Sequence, residues 1–466
     1  MSKLHTQFVC QECGRISARP LGKCPQCGAW DAMIEEVVSM PEEDKAKNLR
    51  GIGGQSQPIK LSQISSEVGE RMPLNMTEFA RVLGGGVVPG SIILIGGDPG
   101  IGKSTLMLQV ALEMAGNETI LYVSGEESER QIKMRAMRLL NHNGKVEFPD
   151  GLLLVTETNL ELILQHVETV KPRILIIDSI QTTYQSGLIS SAGSISQVRE
   201  CAGLLRELAK SSGIVVFLIG HVTKEGIIAG PRVLEHIVDT VLQLEGDRFQ
   251  AFRLLRSVKN RFGPTSEVGV FEMREQGMQE VLNPSEVFLA ERLAEAPGSA
   301  ITVTMEGTRP LLVELQALTS PTHFGNARRT ANGVDFNRLL LVIAVLTRRM
   351  GLPLAEQDVF ANVVGGFAID EPAADLAVAA AIASSYRDVP VKAEVVLMGE
   401  VGLSGELRWV GNMPARLNEA AKLGFKAAVI PKRRKQSEPL PEGIRLHEAR
   451  SLREALGMGL FTPRNA

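Results

Sequence analysis

The stretch Gly96-Gly97-Asp98-Pro99-Gly100-Ile101-Gly102-Lys103-Ser104-Thr105 decides how the chain is read. It follows the apolar run Ile92–Ile95 and precedes a helix-period pattern through Leu106, Leu108 and Ala111, so it is a strand-to-helix turn of the form G-x-x-x-x-G-K-[ST]. Glycines suit such a turn because the backbone wraps closely around phosphate with its amides pointing inward, while the helix N-terminus adds positive potential. Gly97, Asp98, Pro99, Gly100, Ile101, Gly102, Lys103, Ser104 and Thr105 are therefore expected to cradle ATP or GTP. Lys103 would reach the β- and γ-phosphates and Ser104 would ligate Mg²⁺.

Working outward, short apolar runs alternate with amphipathic stretches from about Leu61 to Met273, which predicts an α/β domain around a mostly parallel sheet. Five runs read as core strands apolar on both faces: Ile92–Ile95, Ile120–Ser124, Leu152–Val155, Ile174–Asp178 and Val215–Ile219. More closely spaced runs at Val241–Leu244, Phe252–Val258 and Val268–Phe271 suggest antiparallel pairing at one edge. Asp178 ends a buried strand, where a second Mg²⁺-shell residue belongs. Ser124-Gly125-Glu126-Glu127-Ser128 places carboxylates at another strand end, expected beside the P-loop strand in a RecA-type order. Glu126 could activate water; the alternative for Glu126 and Glu127 is N-terminal charge for the helix Glu129–Leu139.

The first thirty residues hold four of the five cysteines. Cys10, Cys13, Cys24 and Cys27 form two C-x-x-C pairs, each offering two thiolates from one tight turn, and two such turns close a tetrahedron around Zn²⁺. The alternative is redox dithiols, which the absence of a thioredoxin-like strand-to-helix setting disfavours. Cys201 stands apart on a predicted helix and reads as core. The reading gives four segments: a zinc finger at 1–34, a Gly/Ser/Gln-rich linker at 35–60, the P-loop domain at 61–284 and an Ala-rich α+β domain at 285–466. In the last, helices are predicted at Phe336–Arg349, Ala373–Tyr386 and Ala415–Leu423, and strands at Ile301–Met305, Leu312–Gln316 and Val395–Met398.

Composition limits the partners. A chain of 466 residues, 44% hydrophobic, predicts two or three globular domains. With 50 Lys+Arg against 53 Asp+Glu, any polyanion site must be a local patch. Apolar runs such as Ile214–Ile219 fall far short of the roughly 20 residues of a membrane span. Few cysteines and no secretory pattern lead us to expect a cytoplasmic location.

The finger, the P-loop core, the string Lys259-Asn260-Arg261-Phe262-Gly263 and the C-terminal domain together resemble the bacterial RadA family, also called Sms, along essentially the whole chain. The K-N-R-F-G string is also similar to the K-x-R-x-G element of DnaB-type helicases. The resemblance implies a RecA-like ATPase in which Glu126 is the catalytic glutamate, and Lys259 and Arg261 reach a neighbouring subunit's nucleotide. Without it those two bases read as a solvated strand edge. It further implies a homo-oligomeric, hexameric ring that processes or branch-migrates recombination intermediates, with single-stranded and branched DNA and a RecA-type recombinase as partners. DNA would lie against loops after the fourth and fifth core strands, here Ser186–Ser196 and His221–Arg232 with Lys224.

The last domain resembles the Lon peptidase domain, whose G-P-S-A-G motif falls on Glu371-Pro372-Ala373-Ala374-Asp375. Ala373 takes the serine position, and Arg416 takes the lysine position, where a permanently protonated guanidinium cannot act as base. An inactive scaffold is expected, with Arg416 or Lys432–Lys435 as possible DNA contacts and a solubilising loop as the alternative for the latter. Two other functions compete with the DNA-dependent ATPase. An ATP-gated peptidase is contradicted by Ala373, and a regulatory, clock-like or kinase use of the RecA core leaves the finger and the K-N-R-F-G string unexplained.

Overall fold

The computed structural model describes residues 71–466 apart from 142–145, 189, 221–231, 247–250, 291, 294, 323–325, 366–367, 434–438 and 461–466, and, earlier, 4–10, 15–26, 28–30, 32–39 and 60. Cys13, Cys27, Lys224 and most of the loop at 221–232 lie outside the described residues, as do 434 and 435 of the basic run. The chain divides into two compact units, Met1–Glu280 and Val281–Ala466. Among the described residues no helix is long and apolar enough to cross a membrane.

The first unit opens with a small antiparallel ribbon of β1 (Leu4–Cys10), β2 (Ile16–Ser17) and β3 (Met33–Ser39), ordered β2-β1-β3. β3 runs on to Ser39, into a stretch whose composition reads as linker. After α1 (Thr77–Leu83) the strands and helices alternate: β4 (Ile92–Gly97), α2 (Lys103–Met114), β5 (Ile120–Ser124), α3 (Glu129–Leu140), β6 (Leu152–Thr156), α4 (Leu160–Val170) and β7 (Ile174–Asp178). There follow α5 (Ile195–Ser212), β8 (Val215–Ile219), α6 (Arg232–Ile237), β9 (Thr240–Glu245), β10 (Phe252–Asn260), β11 (Val268–Arg274) and β12 (Gly277–Glu280).

These strands form one nine-stranded sheet in the order β12-β11-β10-β9-β4-β8-β7-β5-β6. β9, β4, β8, β7, β5 and β6 are parallel, and β10 to β12 return antiparallel. β4, β5, β7 and β8 are buried throughout, because helices cover both faces; one apolar layer gathers Ile93, Ile95, Tyr122, Ile176 and Phe217, the other Ile92, Leu94, Val123, Ile177 and Leu218. Two expectations are corrected. β5 is separated from the P-loop strand β4 by β8 and β7, and β6, at the sheet's rim, is only partly covered, with Leu153 exposed.

In the second unit α7 (Pro284–Leu289) leads into β13 (Ser299–Glu306), β14 (Arg309–Pro321), β15 (Arg329–Asn332), α8 (Phe336–Met350), β16 (Gln357–Val363), α9 (Asp375–Arg387) and β17 (Val395–Leu397). The short pair β18 (Glu400–Val401) and β19 (Leu407–Arg408), then α10 (Met413–Lys422), β20 (Ala427–Pro431), β21 (Arg445–Ala449) and α11 (Leu452–Gly459) complete it. A seven-stranded sheet, β15-β16-β14-β13-β17-β20-β21, makes the unit richer in strand than its alanines suggest. The alanines instead fill α9, which is buried along most of its length and needs small side chains to lie close against β13 and β14.

Ala373 sits in a short 3₁₀ turn, Pro372–Ala374, and is 1% exposed within the core formed with Val303, Met398 and Met413. Arg416 is 3% exposed, which overturns its reading as a DNA contact. Its guanidinium donates to both Glu371 carboxylate oxygens (2.7 and 2.6 Å), to the Gly411 carbonyl (2.9 Å) and to the Val303 carbonyl. Beside it Arg338 forms a second forked pair with Asp375, whose carboxyl burial pushes upward while the Arg338 hydrogen bond pulls it down. Removing one partner of such a pair strands the other, so Arg416→Ala should destabilise the full chain by about 3 kcal/mol, whereas Glu371→Leu with Arg416→Met should recover most of the loss. Thermal unfolding of the three proteins checks this.

Candidate functional site

The site lies where the parallel strands β4, β7 and β5 end. The P-loop leaves β4 through Gly97, at φ 149°, where a Cβ would come within 2.5 Å of the Leu244 carbonyl oxygen; no other residue fits. Its far side is held from β10, since the buried Arg253 donates through Nε to the Ile101 carbonyl at 3.2 Å. Gly102 precedes α2 with no side-chain cap, so the first amides of that helix face the loop. Asp98, Pro99 and Gly100 are exposed along its crest, and Ser104 and Thr105 follow Lys103 in the first turn of α2.

Lys103 is 4% exposed. Its ammonium donates to the carbonyls of Gly97 (2.7 Å) and Asp98 (3.0 Å), and burial lowers its pKa to about 8 against the opposing pull of Asp178, Asp98 and Glu126. Asp178 ends β7, buried, accepting hydrogen bonds from Tyr122 Oη (2.7 Å) and from the Ser104 hydroxyl. Burial raises its pKa, the two hydroxyls offset part of that, and Glu126 and Glu127 add to the rise. A buried, under-compensated carboxylate beside a hydroxyl, with further carboxylates near, is a donor set of the kind that fits Mg²⁺. Burial, and after it the same carboxylate, hold the Tyr122 phenol well above its ordinary pKa, so it remains a donor.

β5 reaches this place even though it is not next to β4. Ser124 pairs with Asp178, and the Gly125 amide donates to the Asp178 carbonyl at 2.8 Å. Gly125 packs so closely on Thr182 that a Cβ would fall 2.1 Å from Oγ1. The next residue, Glu126, is exposed and accepts from Ser179 Oγ at 2.7 Å, while Glu127 turns away to pair with Arg135 on α3. The two neighbouring glutamates thus separate: one faces the cleft, the other braces a helix. Tyr122, Ser179 and Arg253 carry no sequence signal as site residues; only the strand order brings them in.

Lys259 and Arg261 are not brought to this place. β10 runs antiparallel, so Asn260 pairs with Thr240, which is level with Ile93 at the amino end of β4. The P-loop leaves from the other end, at Gly97, four residues along and roughly 13 Å away at about 3.3 Å per residue. The Lys259 ammonium donates to the carbonyls of Glu235 and Val238 (2.7 Å for the latter), and burial and Arg261 lower its pKa. The Arg261 side chain is 57% exposed, with one N–H 3.3 Å from Asp239. Asn260 and Phe262 are pinned: Asn260 Nδ2 donates to the Leu83 carbonyl, and Arg71 to the Phe262 carbonyl.

The loop at 186–196 is organised by one buried side chain. Gln197 accepts from the Gln185 amide (2.9 Å) and donates to the carbonyls of Gln185, Leu188 and Ser190 at 3.0–3.3 Å. Cys201 lies in the core as expected, its thiol pushed up to about 12 by burial. In the ribbon, Cys10 and Cys24 are both buried and close equivalent turns: the Cys10 amide donates to the Arg15 carbonyl (2.9 Å) and the Cys24 amide to that of Ala29 (2.8 Å). Paired knuckles of this kind, each starting from a buried thiol, fit a four-thiolate zinc site.

A glycine-rich loop at the carboxyl edge of a parallel sheet, with a buried lysine, an acidic strand end and a second glutamate, defines a P-loop ATPase domain. Residues 74–226 match the family described as AAA domain, 8–35 the rubredoxin metal binding domain and 347–434 subunit ChlI of Mg-chelatase. The chain is 52% identical over 460 residues to the DNA repair protein RadA of Listeria monocytogenes, covering 98% of this chain and 99% of that one. It is 50% identical over 462 residues to that of Bacillus subtilis, covering 99% and 100%. It belongs to the RadA family. A solved KaiC-like protein from Pyrococcus horikoshii aligns over 46% of this chain and 99% of its own, with 21% identity and a TM-score of 0.37.

Two outcomes follow from this geometry. Phosphate favours charged Lys103, so its lowered pKa must rise on binding, and above about pH 8 binding takes up a proton. ATP affinity should therefore be flat from pH 6.5 to 7.5 and fall by up to about tenfold per unit above pH 8, a slope that Lys103→Arg should remove. Titration calorimetry in buffers of differing ionisation enthalpy measures both. The full chain should also hold one zinc ion by metal analysis, and Cys10→Ala should lose it and leave nucleotide affinity within twofold.

Proposed function

We propose that the chain is a DNA-dependent ATPase motor of DNA repair and homologous recombination, acting as a ring, six-membered by family resemblance, in which each nucleotide is bound by one subunit and completed by the next. The observation that carries this reading is the place of Arg261: half out in solvent, on a pinned turn, at the end of the strands opposite the P-loop of its own subunit. An arginine so placed cannot serve its own nucleotide. It can serve a neighbour's.

In this reading the P-loop amides and Lys103 bind the β- and γ-phosphates. Ser104 and Asp178 would hold Mg²⁺, which would supply positive charge against the phosphates. Glu126, steadied by Ser179, orients and deprotonates the attacking water. Arg261 stabilises charge on the neighbour's γ-phosphate, and Lys259 anchors the finger segment to the end of α6. α6 begins at Arg232, the last residue of the stretch His221–Arg232 that the family resemblance assigns to DNA, so the finger is anchored to the element that follows this stretch in the chain. Single-stranded and branched DNA are the substrates on which turnover would act, with a RecA-type recombinase as partner; DNA repair is what the relatives' name supports. The C-terminal unit, with Ala373 and the Glu371–Arg416 pair where a Ser-Lys dyad would stand, serves as an inactive Lon-like scaffold. The four segments 1–34, 35–60, 61–284 and 285–466 are assigned to zinc finger, linker, motor and scaffold.

Lys103→Ala should abolish ATP binding or hydrolysis in its own site, while Arg261→Ala should bind ATP with unchanged affinity and lose DNA-stimulated turnover by about 10³-fold or more. Mixed assemblies of the two contain interfaces with an intact P-loop facing an intact finger, so turnover should return in part. Normal hydrolysis by Arg261→Ala, or silent mixtures after proven subunit exchange, would rule the reading out.

A further inference from the structure

Among the buried carboxylates of the first unit that the nucleotide chemistry does not use is Asp239, between α6 and β9, whose side chain is 2% exposed. Desolvating a carboxylate is expensive unless it is paired and hydrogen-bonded, so its partners report what it is for. Its Oδ2 accepts from Lys210 Nζ at 2.7 Å and from the Ile92 amide at 3.2 Å. Its Oδ1 accepts from Arg261 Nη1 at 3.3 Å, and its backbone carbonyl accepts from the Arg261 amide, also at 3.2 Å. Asp239 therefore grips Arg261 twice, once by main chain and once by side chain, from a position fixed to the first residue of the P-loop strand.

Lys210 completes the arrangement. It lies on α5, its ammonium 5.8 Å from the centre of the Phe262 ring, the residue after Arg261. By occupying Oδ2 it leaves Arg261 only the other oxygen, so the guanidinium meets Asp239 through one N–H, and its remaining donors stay available on an exposed side chain. A carboxylate that carries a backbone amide but no second cation takes an arginine in a forked pair, as Asp375 takes Arg338 and Glu371 takes Arg416 in this same chain.

We infer that Asp239 and Lys210 are positioning residues for Arg261: Asp239 orients the finger, and Lys210 keeps Asp239 from capturing it. The inference rests on the trans-finger reading of Arg261 and names what sets that finger's direction. It accounts for a half-exposed arginine standing on a buried acid. It also explains why the acid is shared with a lysine from another helix.

The test uses full-length protein with single-stranded DNA. Asp239→Asn keeps an acceptor for the Ile92 amide and removes the charge; Lys210→Met alters an accessible side chain with little demand on folding. Each should bind ATP as the unaltered protein does and lower DNA-stimulated kcat by about tenfold or more, the order of loss that a misdirected catalytic group brings. Acting through Arg261, neither should lower turnover further when added to Arg261→Ala, a non-additivity that a general packing role would not produce. Asp239→Asn subunits should also be rescued in assemblies mixed with Lys103→Ala. If Arg261→Ala is impaired while both variants turn over normally, or if either adds its full defect to Arg261→Ala, the positioning inference is wrong and the finger reading stands. If Arg261→Ala itself is normal, the finger reading has failed. Should Asp239→Asn not fold, Lys210→Met alone decides by the same additivity comparison.

Discussion

The direction of the strands is the constraint on which the rest depends. Six strands run parallel, so all their carboxyl ends meet on one side, and the dipoles and loops that suit phosphate gather there. Lys103 and Asp178, both buried, find opposite charge, hydroxyls and backbone carbonyls within reach at this edge. The antiparallel return of β10 then delivers Lys259, Asn260 and Arg261 to the amino end of the same strands. One sheet thus carries charged groups at both ends of its strands, and in the proposed reading a second subunit brings the two ends together.

The buried pairs follow the same logic of compensation. Asp239 is held by two cations and an amide, and Glu371 by a forked arginine and the Met305 amide at 2.7 Å. The two cases differ in what remains free. Arg416 is consumed entirely inside the C-terminal unit by Glu371 and two backbone carbonyls. Arg261 is restrained at its root and open at its tip.

Much of the ATPase domain was legible in the sequence, because a covered parallel strand is an unbroken apolar run and a phosphate loop needs glycine at fixed spacing. The strands at Ile120–Ser124, Ile174–Asp178 and Val215–Ile219 match residue for residue. Lateral order was not legible: nothing in the run Ile120–Ser124 tells that it lies beside β7 and not β4, since pairing depends on which helix crosses over which face. Second-line residues were hidden for the same reason. Tyr122, Arg253, Gln197 and Asp239 read as an ordinary strand aromatic, a strand base, a helix amide and a turn acid until the fold sets them against Asp178, Ile101, Ser190 and Arg261. In the C-terminal unit, β15, β16, β20 and β21 were missed because they are short or of mixed character, and because an alanine-rich core helix dominates the composition.

The central claim is that the nucleotide held by one subunit's P-loop lies against Arg261 of another. The most direct measurement is photo-cross-linking with an ATP analogue that carries its reactive group on the γ-phosphate, in assemblies mixed from isotopically labelled Lys103→Ala subunits and unlabelled unaltered ones. A binding titration first establishes that the labelled subunits take up no nucleotide themselves. The account predicts that mass spectrometry finds the cross-link on the labelled peptide containing residues 259–263. Cross-links confined to the unlabelled, nucleotide-binding subunits would contradict it.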